Sequence, residues 1–246
     1  EIPFRERVKT SSGKKVLSLD DFHFKRGKVS IFHIPRLEIE GHSIVGVIGN
    51  NGVGKTTFIS SLIGLLKYQG DVIVDNHKVK RKLLTQKGIL VMQDVNRQLF
   101  GYTVSEEVSL GMKEIDENRV NELLKEFHLE ELKSKHPAIL SGGQKQRLAI
   151  ASAIYSRKQF LYFDEPTSGL DKQSMIAFSD TLLHIKDKAE CIFVITHDPE
   201  LLFSCADFIL KLEDNQVYDY YPMDRKGIEK TKCYFYDAYT KGAVEC

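Results

Sequence analysis

The run Gly49-Asn50-Asn51-Gly52-Val53-Gly54-Lys55-Thr56 constrains this chain more than any other stretch of its sequence. Its glycines open backbone torsions closed to other residues, so successive N–H groups can converge on one anion. The flanks agree. Ser43–Ile48 is short and apolar on both faces, as a buried parallel strand is. After the turn, Phe58, Ile59, Leu62, Ile63, Leu65 and Leu66 recur at helical spacing. Between strand and helix the pattern G-x-x-x-x-G-K-[ST] predicts a phosphate cradle, to which the helix adds its positive N-terminal end. Lys55 is expected to reach the β- and γ-phosphates, and the Thr56 hydroxyl to bind Mg²⁺. By composition the bare pattern arises in on the order of one chain per hundred, so its context decides.

Phe160-Leu161-Tyr162-Phe163-Asp164-Glu165 supplies the expected counterpart. A buried strand ending in a carboxylate places Asp164 near the metal, usually through water. Glu165, one residue on, is positioned to polarise an attacking water as general base. Two acids at a strand end are ordinarily a solvated turn. A phosphate cradle in the same chain reverses that preference.

The remainder reads as an α/β core with a helical insertion. Val16–Phe24 and Val29–Ile39 predict strands separated by the turn Lys25-Arg26-Gly27-Lys28; Asp71–Val74 and Gly88–Met92 predict two more. From Thr103 to Tyr155 helix follows helix. Val104, Val108 and Leu110, then Val120, Leu123, Leu124 and Phe127, form apolar faces, with Thr103 and Asp116 as helix starts. Strand–helix alternation returns with Phe160–Phe163, Lys172–Ile185, Cys191–Ile195, a helix from Pro199, and Phe208–Leu212. The last thirty residues, dense in Tyr and Lys, predict no clear element.

Composition narrows the function classes. The 246 residues carry 35 Lys+Arg against 34 Asp+Glu, a net charge of +1, which gives no footprint for nucleic acid. The longest apolar runs fall far short of the roughly 18–20 residues needed to cross a bilayer. The N-terminal EIPFRERVKT lacks the apolar core of a signal peptide, and its first residue is Glu, so a piece of a longer protein is expected. Cys191, Cys205, Cys233 and Cys246 lie far apart without metal-ligand spacing, and read as reduced, partly buried thiols.

Leu140-Ser141-Gly142-Gly143-Gln144 decides the family. With the phosphate cradle and Asp164-Glu165, it makes the chain resemble the nucleotide-binding domain of ATP-binding cassette (ABC) proteins, from about Leu17 to Val217. The resemblance implies a P-loop α/β fold over residues 1–217, with an antiparallel β subdomain and a helical subdomain at about 94–156 inserted in a RecA-like core. Residues 218–246 remain a tail of unknown role. It implies ATP and Mg²⁺ as cofactors, and a nucleotide-binding set of Asn50, Asn51, Gly52, Val53, Gly54, Lys55, Thr56 and Thr57. Gln93 resembles the Q-loop glutamine that senses the metal and γ-phosphate, joining Thr56 and Asp164 at the metal. His197 resembles the switch histidine, and Asp171 lies in the D-loop-like Ser168-Gly169-Leu170-Asp171. Phe24 sits where an aromatic stacks on adenine, with Phe22 as the other candidate. Lys55, Gln93, Glu165 and His197 thereby form the catalytic set.

In this family ATP is sandwiched between two domains, and Ser141, Gly142, Gly143 and Gln144 act on the partner's ATP. The sequence offers a physical reason: Ser141 precedes a helix, so its hydroxyl, the glycine N–H groups and the helix dipole form a second anion site. A dimer is therefore expected, as homodimer, heterodimer or fused tandem pair. Gln93-Asp94…Gln98-Leu99-Phe100, followed by Thr103-Val104-Ser105-Glu106, is similar to the ATPases of energy-coupling factor (ECF) transporters. That similarity implies a transmembrane coupling subunit, a membrane substrate-binding subunit for a vitamin or transition-metal ion, and peripheral attachment at the cytoplasmic membrane face. The alternative is a soluble ABC ATPase acting on DNA or ribosomes. It lacks support from a coiled-coil insertion, zinc module or basic linker. A non-hydrolysing regulatory module is disfavoured by the intact Lys55, Glu165, His197 and signature.

Overall fold

The computed structural model describes residues 13–26, 29–214 and 216–242, which build one ten-stranded sheet. Its centre is parallel: β3 (Ser43–Ile48), β6 (Gly88–Val91), β7 (Phe160–Asp164), β8 (Cys191–Ile195) and β9 (Phe208–Glu213) lie in the order β9-β3-β8-β7-β6. β10 (Gln216–Pro222) turns back antiparallel on β9. Beyond it, β2 (Val29–Glu40), β1 (Lys15–Arg26), β4 (Gln69–Val74) and β5 (His77–Lys78) form an antiparallel layer. A single parallel pairing, Gln216 with His33, joins the two halves among the described residues. The turn predicted at Gly27 and Lys28 lies outside the described residues, as do EIPFRERVKT and Cys246.

The parallel strands read as continuous apolar runs because both faces are covered. Val45, Val47, Phe160, Tyr162, Phe193 and Ile195 share a core with Phe22, Phe32 and Phe58, the last on α1 (Lys55–Leu62). Ile44, Leu161, Phe163, Ile192 and Val194 face the opposite core. There they meet α3 (Val104–Val108), α4 (Glu117–Glu126) and α5 (Gly142–Tyr155), inserted between β6 and β7, together with α6 (Lys172–Ile185) and α7 (Pro199–Cys205). The predicted starts hold: the Thr103 and Asp116 side chains accept from the N–H groups of Glu106 and Arg119.

Three expectations shift. α1 stops at Leu62 rather than running on through Leu66. Gly64, at φ +86°, closes a Schellman turn in which Leu65 N–H donates to Ser60 O at 2.9 Å and Gly64 N–H to Ser61 O at 3.0 Å. α3 ends at Val108, leaving Leu110 48% exposed rather than on a buried face. The tail also has structure. β10 crosses the boundary expected at Val217, and α8 (Arg225–Gly242) docks through Tyr234 and Phe235 on a small core of Ile48, Leu202, Ile209 and the β10 residue Tyr221. The helix approaches closely at Gly227, where a Cβ would collide with Pro222 O, and the buried Thr231 hydroxyl lies 3.1 Å from the Tyr221 hydroxyl. α2 (Arg81–Lys87) was not predicted; it buries only Leu84. Among the described residues no helix is long and apolar enough to cross a membrane.

Candidate nucleotide site

β3 delivers the chain to Gly49, where a Cβ would stand 2.6 Å from Leu212 O and 2.8 Å from Val53 Cγ1. Only glycine fits that turn. Gly54 caps α1 in the left-handed region at φ +100°, with no side-chain cap, leaving the first-turn N–H groups to an anion. The buried Lys55 folds back over the loop, its Nζ donating to Gly49 O at 2.7 Å and Asn50 O at 3.2 Å. Burial pushes its pKa down, while Glu165 and Asp164 push it back up.

A cavity of roughly 600 Å³ opens over this loop. Asn51, Gly52, Gly54, Lys55, Thr56 and Thr57 line one side, and Gln93, Asp164, Glu165 and His197 face them. Thr56 Oγ1 donates to Asp164 Oδ2 at 3.3 Å, so the first turn of α1 meets the end of β7. Burial raises the Asp164 pKa, against the Thr56 hydrogen bond and the Lys55 charge. A hydroxyl, a carboxylate and the Gln93 amide make an all-oxygen donor set that fits Mg²⁺ and suits softer metals poorly.

Glu165 leaves β7 in a left-handed conformation, φ +46°, a cost of about 1–2 kcal/mol for a residue with a β-carbon. The surroundings hold it there. Its N–H donates to Ile195 O at 2.9 Å, and its carboxylate Oε2 accepts from His197 N–H at 3.2 Å. The His197 ring Nε2 lies 3.5 Å from Oε1. Burial raises the Glu165 pKa; the His197 N–H and Lys55 oppose it, and Asp164 and Asp198 reinforce it. Burial lowers the His197 pKa and Lys55 adds to that, so a neutral imidazole sits beside the carboxylate at neutral pH.

Ser141 begins α5 with a reciprocal cap: its Oγ accepts from Gln144 N–H at 3.4 Å, and Gln144 Oε1 accepts from Ser141 N–H at 2.9 Å. Ser141 and Gly142 are exposed, and nothing lies within 4 Å of where a Gly142 Cβ would be. None of Ser141, Gly142, Gly143 and Gln144 lines the Lys55 cavity.

Residues 32–168 match the family described as ABC transporter. The chain belongs to that family. As an ABC domain it is 36% identical over 211 residues to a Treponema denticola protein provisionally named an ABC transporter ATP-binding protein. That match covers 85% of this chain but 43% of the relative, so the chain spans less than half of that protein's length. The energy-coupling factor transporter ATP-binding protein EcfA1 of Thermotoga maritima is 34% identical over 207 residues, 82% of this chain and 80% of that one. The solved structure of cbiO1 from Clostridium perfringens, described as part of the ABC transporter complex cbiONQ, gives a TM-score of 0.80 at 27% identity. It covers 89% of this chain and 92% of that one.

Within the ABC domain, the two aromatic candidates separate cleanly. Phe22 is 0% exposed and stacks on Phe32 in the core, so it is unavailable to a base. Phe24 is half-buried and stacks on Phe32 with ring centroids 6.0 Å apart. Phe32 in turn lies beside Gly54, 3.8 Å from the position of a Cβ there, which puts this aromatic pair at the rim of the loop. Asn50 is exposed on the loop and Val53 packs beneath it. Asp171 is exposed and outside the cavity; it caps α6 by accepting from Ser174 N–H at 2.8 Å.

Sequence reasoning missed several supports. Ser168 and Ile195 also line the cavity. Gln98 fastens the segment after Gln93, its Oε1 accepting from Met92 N–H at 2.7 Å and its Nε2 donating to Leu90 O at 2.6 Å. The buried Glu107 carboxylate accepts from the N–H groups of Phe100 and Gly101 at 2.7 and 2.6 Å. Burial raises its pKa and those two bonds oppose the rise. From the tail, burial raises the Tyr234 pKa and the nearby Gly49 N–H opposes the rise. A bulky acid inside a helix pattern was the one available signal for Glu107; Tyr234 had none.

Proposed function

We propose that this ABC domain hydrolyses ATP with Mg²⁺ as one half of a composite dimer and powers an importer of the energy-coupling factor type. The observation that carries the reading is the convergence of Lys55, Thr56, Asp164, Glu165 and His197 on one cavity that none of Ser141–Gln144 lines, with Ser141 and Gly142 exposed. Asn50–Thr57 bind the phosphates through backbone N–H groups, and Lys55 exchanges its carbonyl partners for phosphate oxygens. Phe24 supplies a π-face for adenine. Thr56, Asp164 and Gln93 would hold Mg²⁺, which neutralises charge developing on the phosphates when bound.

Glu165 accepts a proton from the attacking water, and the His197 N–H fixes the carboxylate that does so. The neutral His197 ring is oriented by Glu165 toward the γ-phosphate. The remaining charge stabilisation comes from the partner's signature helix, because none of Ser141–Gln144 lines the cavity of its own chain. That partner is a second ABC domain, as homodimer, heterodimer or fused tandem; the greater length of the Treponema relative supports the tandem form.

Exposed apolar side chains in the segment that follows β6 support a membrane partner. Phe100 is 73% and Tyr102 83% exposed, and Met92, Met112 and Ile115 are exposed as well. The Glu107 carboxylate accepts from the Phe100 N–H and the Glu106 carboxylate from the Tyr102 N–H, bracing the backbone under the first two. This is where a coupling helix of a transmembrane subunit docks, with a separate membrane subunit choosing a vitamin or transition-metal ion. The domain then sits peripherally at the cytoplasmic membrane face.

The test is a pull-down of the tagged chain from detergent-solubilised membranes of its source cell, followed by mass spectrometry. The expected result is a stoichiometric multi-span subunit with a small membrane binding protein, lost in Phe100→Asp/Tyr102→Asp. A soluble eluate carrying ribosomal or DNA-repair proteins would leave the ATPase chemistry and overturn the transport reading.

A further inference from the structure

On the face of β1 and β2 opposite Phe24 and Phe32, a different set of side chains comes together. His23 and His33 are cross-strand partners in the β1–β2 register, their rings T-shaped with centroids 5.5 Å apart. Asp21 joins them from a break in the β1–β4 register, at φ +46°. The break is rigid: Gly70 of β4 presses against it so closely that a Cβ there would collide with Asp21 O. The Asp21 carboxylate Oδ1 lies 2.8 Å from His33 Nε2 and 3.9 Å from His23 Nδ1. Among the described residues this is the only group of three or more His, Cys, Asp or Glu whose ligand atoms all lie within 4.8 Å of one another.

We propose that Asp21, His23 and His33 form a binding site for a divalent transition-metal ion, separate from the nucleotide cavity. Two imidazoles and one carboxylate are the donor set of borderline ions such as Zn²⁺, Co²⁺ and Ni²⁺. Donor atoms around a tetrahedral zinc stand about 3.3 Å apart, between the 2.8 and 3.9 Å that separate the Asp21 carboxylate from the two rings. An outer support is also in place. His23 Nε2 lies 2.5 Å from Gln69 Oε1; donating its proton there frees Nδ1 as a ligand and fixes the ring. The Asp21 carbonyl O lies 2.9 Å from Nδ1, a fourth donor atom beside the ion. His23 is mostly buried, while the Asp21 and His33 side chains are 74% and 50% exposed, so the ion enters from solvent. Bound there, it cross-links β1 to β2 directly behind Phe24.

The test uses the full chain with any histidine tag removed, stripped with chelator and titrated with Zn²⁺ against a chromogenic competitor. One Zn²⁺ per chain is expected, with affinity falling at least tenfold in both His33→Ala and Asp21→Asn. Substituting Co²⁺ should give visible d–d absorption that both variants lose. Both substitutions are at exposed side chains, and circular dichroism checks the fold. His197→Ala separates this site from the nucleotide cavity and should leave zinc binding unchanged. Affinity and stoichiometry unaltered in His33→Ala and Asp21→Asn, or lost instead in His197→Ala, would overturn the site.

Discussion

Glu165→Gln isolates the charge of one carboxylate with little else disturbed. The amide keeps the side chain's length and an acceptor oxygen for His197 N–H, and Gln tolerates φ +46° no worse than Glu. Stability should therefore hardly move, while the group proposed to take the water's proton is gone. General-base catalysis contributes roughly 10²–10⁴ in rate, about 2.7–5.4 kcal/mol of barrier, and single-turnover ATP hydrolysis by the assembled dimer should fall by that factor. Binding of ATP is retained, because Lys55, Thr56 and the loop N–H groups are untouched. The pH profile gives a second reading. Burial raises the Glu165 pKa, and the base works only when ionised, so wild-type turnover falls with decreasing pH while still above the ordinary carboxylate range of about 4.3. That acid limb should vanish in the variant. A Glu165→Gln protein that turns over within threefold of wild type, with the limb intact, would refute the assignment.

Other substitutions divide binding from chemistry. Ser141→Ala breaks the reciprocal cap of α5, costing about 1 kcal/mol and roughly 2–4 °C in Tm; nucleotide binding by the single chain should be unchanged while dimer turnover falls. Phe24→Ala should weaken nucleotide binding roughly 2–12-fold in a fluorescent-nucleotide titration, the worth of one aromatic stacking contact. Phe22→Ala should instead destabilise the fold by about 3–5 kcal/mol in chemical denaturation. Asp171 has its pKa lowered by the Ser174 N–H it accepts from, so its cap is fully present above the ordinary Asp range and is lost as pH falls through the lower folded value. The Tm difference between wild type and Asp171→Ala should accordingly be flat above about pH 5 and close in acid.

The legible parts of this molecule are those whose meaning is contiguous. Ser43–Ile48, Lys172–Ile185 and Cys191–Ile195 are observed at the bounds their patterns predict, because both sheet faces are covered and α6 buries a regular stripe. The phosphate loop was legible because eight consecutive residues encode it. Contacts between distant segments were not. That Glu165 must adopt a positive φ to meet His197 depends on β8, and the pairing of His23 with His33 depends on a register that Asp21 and Gly70 set together. α8 carries no legible pattern because it docks through Gly227, Thr231 and aromatic rings rather than through an aliphatic stripe. α2, with one buried leucine among charged residues, carries too little periodicity to be seen.

The sheet order also sets a timetable for synthesis. β3 pairs with β8 and β9, and the residue opposite Ser43 is Cys191, 148 positions later in the chain. At ribosomal speeds of about 5–20 residues per second, that is a wait of roughly 7–30 s. Throughout it, a strand whose six residues are all buried in the finished domain has two unpaired edges. The phosphate loop is encoded early but has no strand to anchor it until the ribosome has nearly reached the end of the domain. A nascent chain of this kind is a natural client for chaperones that shield apolar segments, and a message cut short before β8 yields an aggregating fragment with no nucleotide site.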